Sequence, residues 1–354
     1  MNKQFNSELL QLARQFRGLS QSGLAKLSGV TQGYLSKLEN ALTEPSSDAL
    51  EKLSDALNFP VSYFYGSERV YGLPISVHAY RKKARTTQGT LEYIQSEMNL
   101  RVIHYRRLLK SIDIESEFEV PYFDIEEYAG DAEKVAALVR RTWMIPNGPI
   151  RDLVEIIERA GVLIFLCDFP GNSVDGVTMA VKGIPACIFL NKNQPADRMR
   201  FSLAHELGHL VMHRQPSASM EDEANEFAAA FLMPQQDIFY ALKNTSIQAL
   251  AALKPIWRVS MAALLYRASK IGAIQKPQAD YMWRQLSRLG YRLQEPAELE
   301  FEREVPMLTK DIIELHINDL NYSVSQIQEV LGLSESDLTK LYQISSKPHL
   351  RLVK

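Results

Sequence analysis

The sequence predicts a mainly α-helical protein with a small β-sheet, α+β in class and divided into several domains. Three observations carry that prediction. Apolar residues at helical spacing, punctuated by cap residues, fill positions 6–66 and return from 261 to 342. Only three short β runs are legible, at 162–167, 177–181 and 186–190, and they lie close together. A length of 354 residues allows two or three separate cores. The chain then divides into an N-terminal helix-turn-helix bundle (1–66), a helical connector (67–125), a segment built around an H-E-x-x-H motif (126–274) and a C-terminal helical region (275–354).

The totals exclude some classes. Composition is ordinary, at 46% hydrophobic and 23% charged residues. A net charge of −2 rules out a polycation, so any nucleic-acid binding must come from a local surface. No N-terminal apolar leader and no run of membrane-spanning length is present, so no membrane partner is expected. The only cysteines, Cys167 and Cys187, lie in apolar strand-like runs. They read as buried thiols in a reducing cytoplasm rather than as a disulfide.

In the first segment Leu9, Leu10, Ala13 and Phe16 recur at helical spacing until Gly18 breaks the pattern. Ser20 can cap a helix over 21–28 carrying Leu24, Ala25 and Leu27, and Gly29 can end it. Thr31 can cap a second helix over 32–39, with Leu35 and Leu38 inward. A fourth helix follows Pro45 and Ser47. Two short helices about a glycine turn have the geometry of a helix-turn-helix. The second would present Thr31, Gln32, Gly33, Tyr34, Ser36 and Lys37 outward, all able to meet base edges or phosphates.

The run Ser20-Gln21-Ser22-Gly23-Leu24-Ala25, then Gly29-Val30-Thr31 and Leu35-Ser36-Lys37-Leu38-Glu39-Asn40, resembles the Xre (phage Cro/C1-like repressor) helix-turn-helix. That resemblance implies double-stranded operator DNA as partner, a backbone contact from Gln21, and the third helix in the major groove. A homodimer is expected, because operators for such domains are commonly two-fold.

The connector is polar in two blocks. Residues 76–110 are basic, with Arg81, Lys82, Lys83, Arg85, Arg101, Arg106, Arg107 and Lys110, whereas 113–133 is acidic. The basic block could flank DNA, form a solvated helix face, or pair with the acidic block. Leu91, Ile94, Met98, Val102, Tyr105 and Leu109 give it a helical stripe that should pack.

In the third segment a helix is expected over 132–141 and another from Pro149-Ile150 to Ala160. The β runs follow, with Asp175-Gly176 read as a turn. Of the three runs, 186–190 is expected to lie beside the motif helix as an edge that holds an extended peptide. Asp197 can cap the helix bearing His205-Glu206-Leu207-Gly208-His209. His205 and His209 are four apart and so share one helical face, where they can hold one Zn²⁺ with room for a third ligand and a water. Glu206 can act on that water as general base. His213 would stand about 12 Å along the axis from His205, too far to share the ion, and is expected behind the site or on the surface. The metzincin histidine spacing is absent, because Met212 and Gln215 stand in its places.

A further helix beginning at Glu221 buries Phe227, Ala228, Phe231 and Leu232. Glu221 and Asn225 share a face, so Glu221 would complete the metal and Asn225 would orient a ligand histidine from behind. Glu223 points about 200° away and is the alternative ligand. Tyr266 reads either as an oxyanion donor or as a core tyrosine. Arg200 to His209 followed by Glu221-x-x-Ala224-Asn225-x-Phe227-Ala228-x-x-x-Leu232-Met233-Pro234 resembles the ImmA/IrrE family of zinc metallopeptidases. The resemblance, fused to the Xre segment, extends through Arg81-Lys82-Lys83-Ala84 and on to Arg292. It implies a zincin-like fold, Zn²⁺ on His205, His209 and Glu221, a catalytic Glu206, and action on a transcriptional repressor.

After a helix between Pro277 and Gly290, Ser323 and Ser334 can cap two short helices about Gly332, either a second helix-turn-helix or a plain αα-hairpin. The whole reads as a DNA-binding regulator with a zinc endopeptidase domain. The alternatives are a non-cleaving regulator or antitoxin whose zincin-like domain binds a repressor or small toxin, and a zinc site serving stability alone. Three good ligands leave a fourth position open, which favours chemistry.

Overall fold

A computed structural model of the chain describes residues 4–73, 87–170, 174–243 and 245–344. The basic cluster of Arg81, Lys82, Lys83 and Arg85 lies outside the described residues. The chain is mainly helical with one small sheet. In order the helices are α1 (Ser7–Phe16), α2 (Gln21–Ser28), α3 (Gln32–Glu39), α4 (Ser47–Leu57), α5 (Gln88–Leu108), α6 (Ala132–Thr142), α7 (Leu153–Arg159), α8 (Ala196–Met212), α9 (Met220–Leu232), α10 (Gln235–Leu242), α11 (Ile247–Trp257), α12 (Met261–Lys270), α13 (Lys276–Arg288), α14 (Leu308–Asn318), α15 (Val324–Leu331) and α16 (Glu335–Tyr342). The strands β1 (Leu163–Cys167), β2 (Gly176–Met179) and β3 (Cys187–Asn191) fall between α7 and α8. No single helix among the described residues is long and apolar enough to cross a membrane.

Two compact units form. Of the described residues, the first holds those within 4–73, 87–114 and 308–344, and the second those within 115–307. The expected connector and C-terminal region are each divided between them. In the first unit, Ser20 and Thr31 cap α2 and α3 as expected, and Gly29 ends α2 at φ 75°. Leu24, Leu35 and Leu38 are buried, but Leu27 is 61% exposed. Helix α5 runs through the core: every residue from Ser96 to Tyr105 is buried. This overturns the solvated-face reading of its basic residues. Arg101 pairs with Glu97 inside the core, Arg107 Nε donates to Glu68 Oε1 at 2.6 Å, and Arg106 lies over the Tyr71 ring. Hairpin α15–α16 packs back on the same unit. Gly332 supplies its turn at φ 69°, and Arg17 Nη1 donates to Asp337 Oδ1 at 2.8 Å.

In the second unit the sheet order is β1-β3-β2, with β1 and β3 parallel and β2 and β3 antiparallel. Strand β3 is therefore central and paired on both sides. The expectation that 186–190 forms the edge is corrected: a strand whose backbone groups are already paired cannot accept another. Most positions of β1 to β3 are buried, which explains runs without polar alternation. Cys167 ends β1 and Cys187 opens β3, about 13 Å apart along the strands, and both are buried thiols. Helix α8 lies against β2 and β3 on one side and α9 on the other, with α6 behind α9. Helix α7 starts at Leu153, capped by Asp152, rather than at Pro149.

Candidate metal centre and nucleic-acid interface

Helices α8 and α9 meet closely because one crossing residue has no side chain. A Cβ on Gly208 would stand 3.0 Å from Phe227 Cδ1 and 3.4 Å from Ala224 Cα. That approach sets Glu221, at the start of α9, against the two imidazoles of α8. His205 Nε2 and His209 Nε2 are 3.0 Å apart. Glu221 lies 3.7 Å from the first through Oε2 and 3.4 Å from the second through Oε1. The three ligand atoms all fall within 4.8 Å of one another. Edges of a tetrahedron at zinc–nitrogen bond length are about 3.3 Å, so the trio fits one small divalent ion.

The donor chemistry agrees. His205 Nδ1 donates to Asn225 Oδ1 at 3.1 Å, which leaves its Nε2 as a lone pair facing the ion position. Burial, aided by the neighbouring His209, pushes the His205 imidazole down to about 4, so the ring is neutral and able to ligate. Asn225 therefore stands against the His205 ring nitrogen that faces away from His209. Glu223 does not reach the trio. Its Oε2 is 3.0 Å from His213 Nε2, and His213 Nδ1 is 3.0 Å from His209 Nδ1.

Glu206, on α8, is fully buried against Gly176 and Thr178 of β2. Thr178 Oγ1 lies 2.8 Å from Glu206 Oε2 and 3.0 Å from its carbonyl oxygen, sharing one proton between them. Glu206 Oε1 has no protein hydrogen-bond partner among the described residues. Burial raises its carboxyl above the usual range, which makes the ionised form a stronger proton acceptor. Gly176 is the first residue of β2 and not a turn, and a Cβ there would stand 2.8 Å from Glu206 Cγ. Sequence reasoning missed Thr178 and Gly176, because their role appears only when β2 is laid beside α8. Gly176→Ala should displace the Glu206 side chain, lowering any Glu206-dependent turnover at least tenfold. Zinc content, measured by elemental analysis, should stay at the wild-type level, since no ligand moves.

Asp197 and Tyr266 differ from expectation, whereas His213 does lie behind His209, one of the two places expected for it. Asp197 does not cap α8; Pro195 occupies the N-cap and Asp197 pairs with the buried Lys254 instead. His213 is the residue at which α8 ends, at φ −113° and ψ 110°, so its ring folds back onto His209 rather than continuing along the helix. Tyr266 is no core residue. It is 49% exposed and lines a groove together with Asn225 and Phe201.

On the first unit, Thr31, Gln32, Gly33 and Lys37 of the α3 segment are exposed, and Ser36 is half-buried. Tyr34 is held back: its hydroxyl donates to Glu44 O at 3.3 Å and accepts from Ser46 N at 3.1 Å. Gln21 Nε2 donates to Glu39 Oε2 at 2.8 Å, and Glu39 also receives Arg14 Nε at 2.6 Å. That network fixes the start of α2 against the end of α3.

Fold and sites together define a helix-turn-helix domain joined to a peptidase-like H-E-x-x-H domain. The family profile for the helix-turn-helix matches residues 10–64, and that for the IrrE N-terminal-like domain matches residues 157–269. The chain is a fusion of an Xre-type helix-turn-helix domain with an ImmA/IrrE-type domain. No curated protein sequence matches it.

Proposed function

We propose that the chain is a DNA-binding transcriptional regulator whose second unit is a zinc metalloendopeptidase, acting by limited proteolysis of a repressor. The observation that carries this reading is the convergence of His205, His209 and Glu221 beside a buried Glu206 with one committed and one uncommitted carboxylate oxygen. Zn²⁺ held there would polarise the scissile carbonyl and acidify a water. Glu206 takes the proton of the attacking water through Oε1 and returns it to the leaving amine. Thr178 keeps the carboxylate from turning away. Strand β2, paired only with β3 among the described residues, is the edge along which the substrate backbone lies extended.

The first unit tethers the enzyme to operator DNA, as a two-fold dimer in a reducing cytoplasm. Lys37→Ala should weaken operator and random DNA by similar factors and reduce the slope of log affinity against log salt by about 1, read by titration at several salt concentrations. Gln32→Ala should instead narrow the gap between operator and random DNA.

The test is to mix the purified protein and Zn²⁺ with a small repressor or toxin encoded by a neighbouring gene. Cleavage at one bond, blocked by a chelator, supports the reading. A stable complex with both chains intact points to the other one, a non-cleaving regulator or antitoxin that uses the same unit to hold its partner. Zinc should also raise the melting temperature of the metal-free protein. At a free concentration 100 times Kd the gain is about 2.7 kcal/mol, seen by calorimetry and lost in Glu221→Ala.

A further inference from the structure

We propose that His213 and Glu223 form a relay that fixes the tautomer of His209 and thereby sets the affinity of the centre for its metal. The inference rests on the metal-centre reading and adds two positioning residues to it. The chain departs from helical geometry at His213, which swings that ring behind His209, on the side away from Glu221. The His213 side chain is 5% exposed and Glu223 14%, so water competes little for their hydrogen bonds.

Proton bookkeeping allows one arrangement of neutral rings. An ionised carboxylate only accepts, so the proton of His213 sits on Nε2 and donates to Glu223 Oε2 at 3.0 Å. Nδ1 of His213 is then a lone pair. It accepts from His209 Nδ1–H at 3.0 Å. His209 is left with its Nε2 lone pair pointing at the ion position. His205 reaches the same state through Asn225, by a separate route.

The alternative tautomer shows why this matters. With its proton on Nε2, His209 would donate to the His205 Nε2 lone pair only 3.0 Å away. One hydrogen bond would then occupy both ligand atoms, and the site would close on itself. The relay denies His209 that option, and the carboxylate at its far end makes the ligand nitrogen more basic.

The experiment measures zinc affinity of the full-length protein by competition with a chromophoric chelator. His213→Ala and Glu223→Ala should weaken zinc 10–100-fold. His213→Asn places an amide oxygen near the lost Nδ1 and should restore most of the affinity. A second readout needs no metal. The ¹⁵N shifts of His209 in the zinc-free protein should report the Nδ1–H form in the wild type and His213→Asn, and a mixture in His213→Ala. His205→Ala separates two failures. If it loses zinc while His213→Ala binds like the wild type, the relay is refuted and the centre stands. If it too binds like the wild type, the metal-centre reading itself is refuted. Should His213→Ala fold poorly, Glu223→Ala and His213→Asn decide, and equal losses in both with an unchanged His209 tautomer would overturn the relay.

Discussion

Glu206→Gln should lower cleavage of the protein partner by about 10²–10⁴-fold, the usual contribution of a positioned general base, with zinc content and operator affinity at wild-type levels. The substitution isolates proton transfer. Gln has the shape of Glu, and its carbonyl oxygen can still accept from Thr178 Oγ1, which lies 2.8 Å from the carboxylate now. None of His205, His209 and Glu221 is touched, so ligand geometry persists. What disappears is a buried base whose proton affinity is raised by its surroundings. Fragment accumulation followed by mass spectrometry reads the rate, and gene expression in cells reads the consequence. Loss of both ties regulation to cleavage. Regulation that survives alongside intact zinc and DNA binding would show that the domain works by holding its partner, and the proteolytic proposal would be abandoned.

Local signals in the sequence were reliable where a few adjacent residues decide the structure. Ser20, Thr31, Ser323 and Ser334 each cap the helix they announce, and Gly29 and Gly332 end theirs in the left-handed region. The histidine pair and Glu221 come together because two helical periods and one small-residue crossing at Gly208 leave little choice. Pairings over long separations were not legible. The interior place of β3 depends on β1 joining it in parallel, and strand periodicity is silent on order. A basic run on α5 looks like a solvated face until Glu97 and Glu68 are placed beside Arg101 and Arg107. Helical periodicity likewise carried His213 a full turn onward, whereas the chain unwinds at that residue and turns it back.

Glu304→Ala is the substitution expected to cost the most stability, although nothing in the sequence around it marks it out. Its Oε2 accepts from Leu153 N at 3.0 Å and Val154 N at 3.2 Å, satisfying the first turn of α7 from about 150 residues away. Its Oε1 pairs with Arg200 on α8, the helix that carries His205 and His209, and lies 3.4 Å from Arg258 Nη1. Arg200 also donates to Ile150 O and is only 3% exposed. Burial holds the Glu304 carboxyl above and the Arg200 guanidinium below their ordinary values, so each charge is tolerated only because the other is there. Removing Glu304 strands a buried guanidinium and two backbone N–H groups together. A loss of about 3–5 kcal/mol follows, which for a unit of this size lowers the melting temperature by about 6–20 °C. Replacing both partners at once, Arg200→Met with Glu304→Leu, removes the stranded charge and should recover much of that loss, since the two sites are coupled. Calorimetry on the metal-free protein separates these outcomes. A single mutant within 1 kcal/mol of the wild type would mean that water reaches Arg200, and that α8 is anchored by its apolar packing alone.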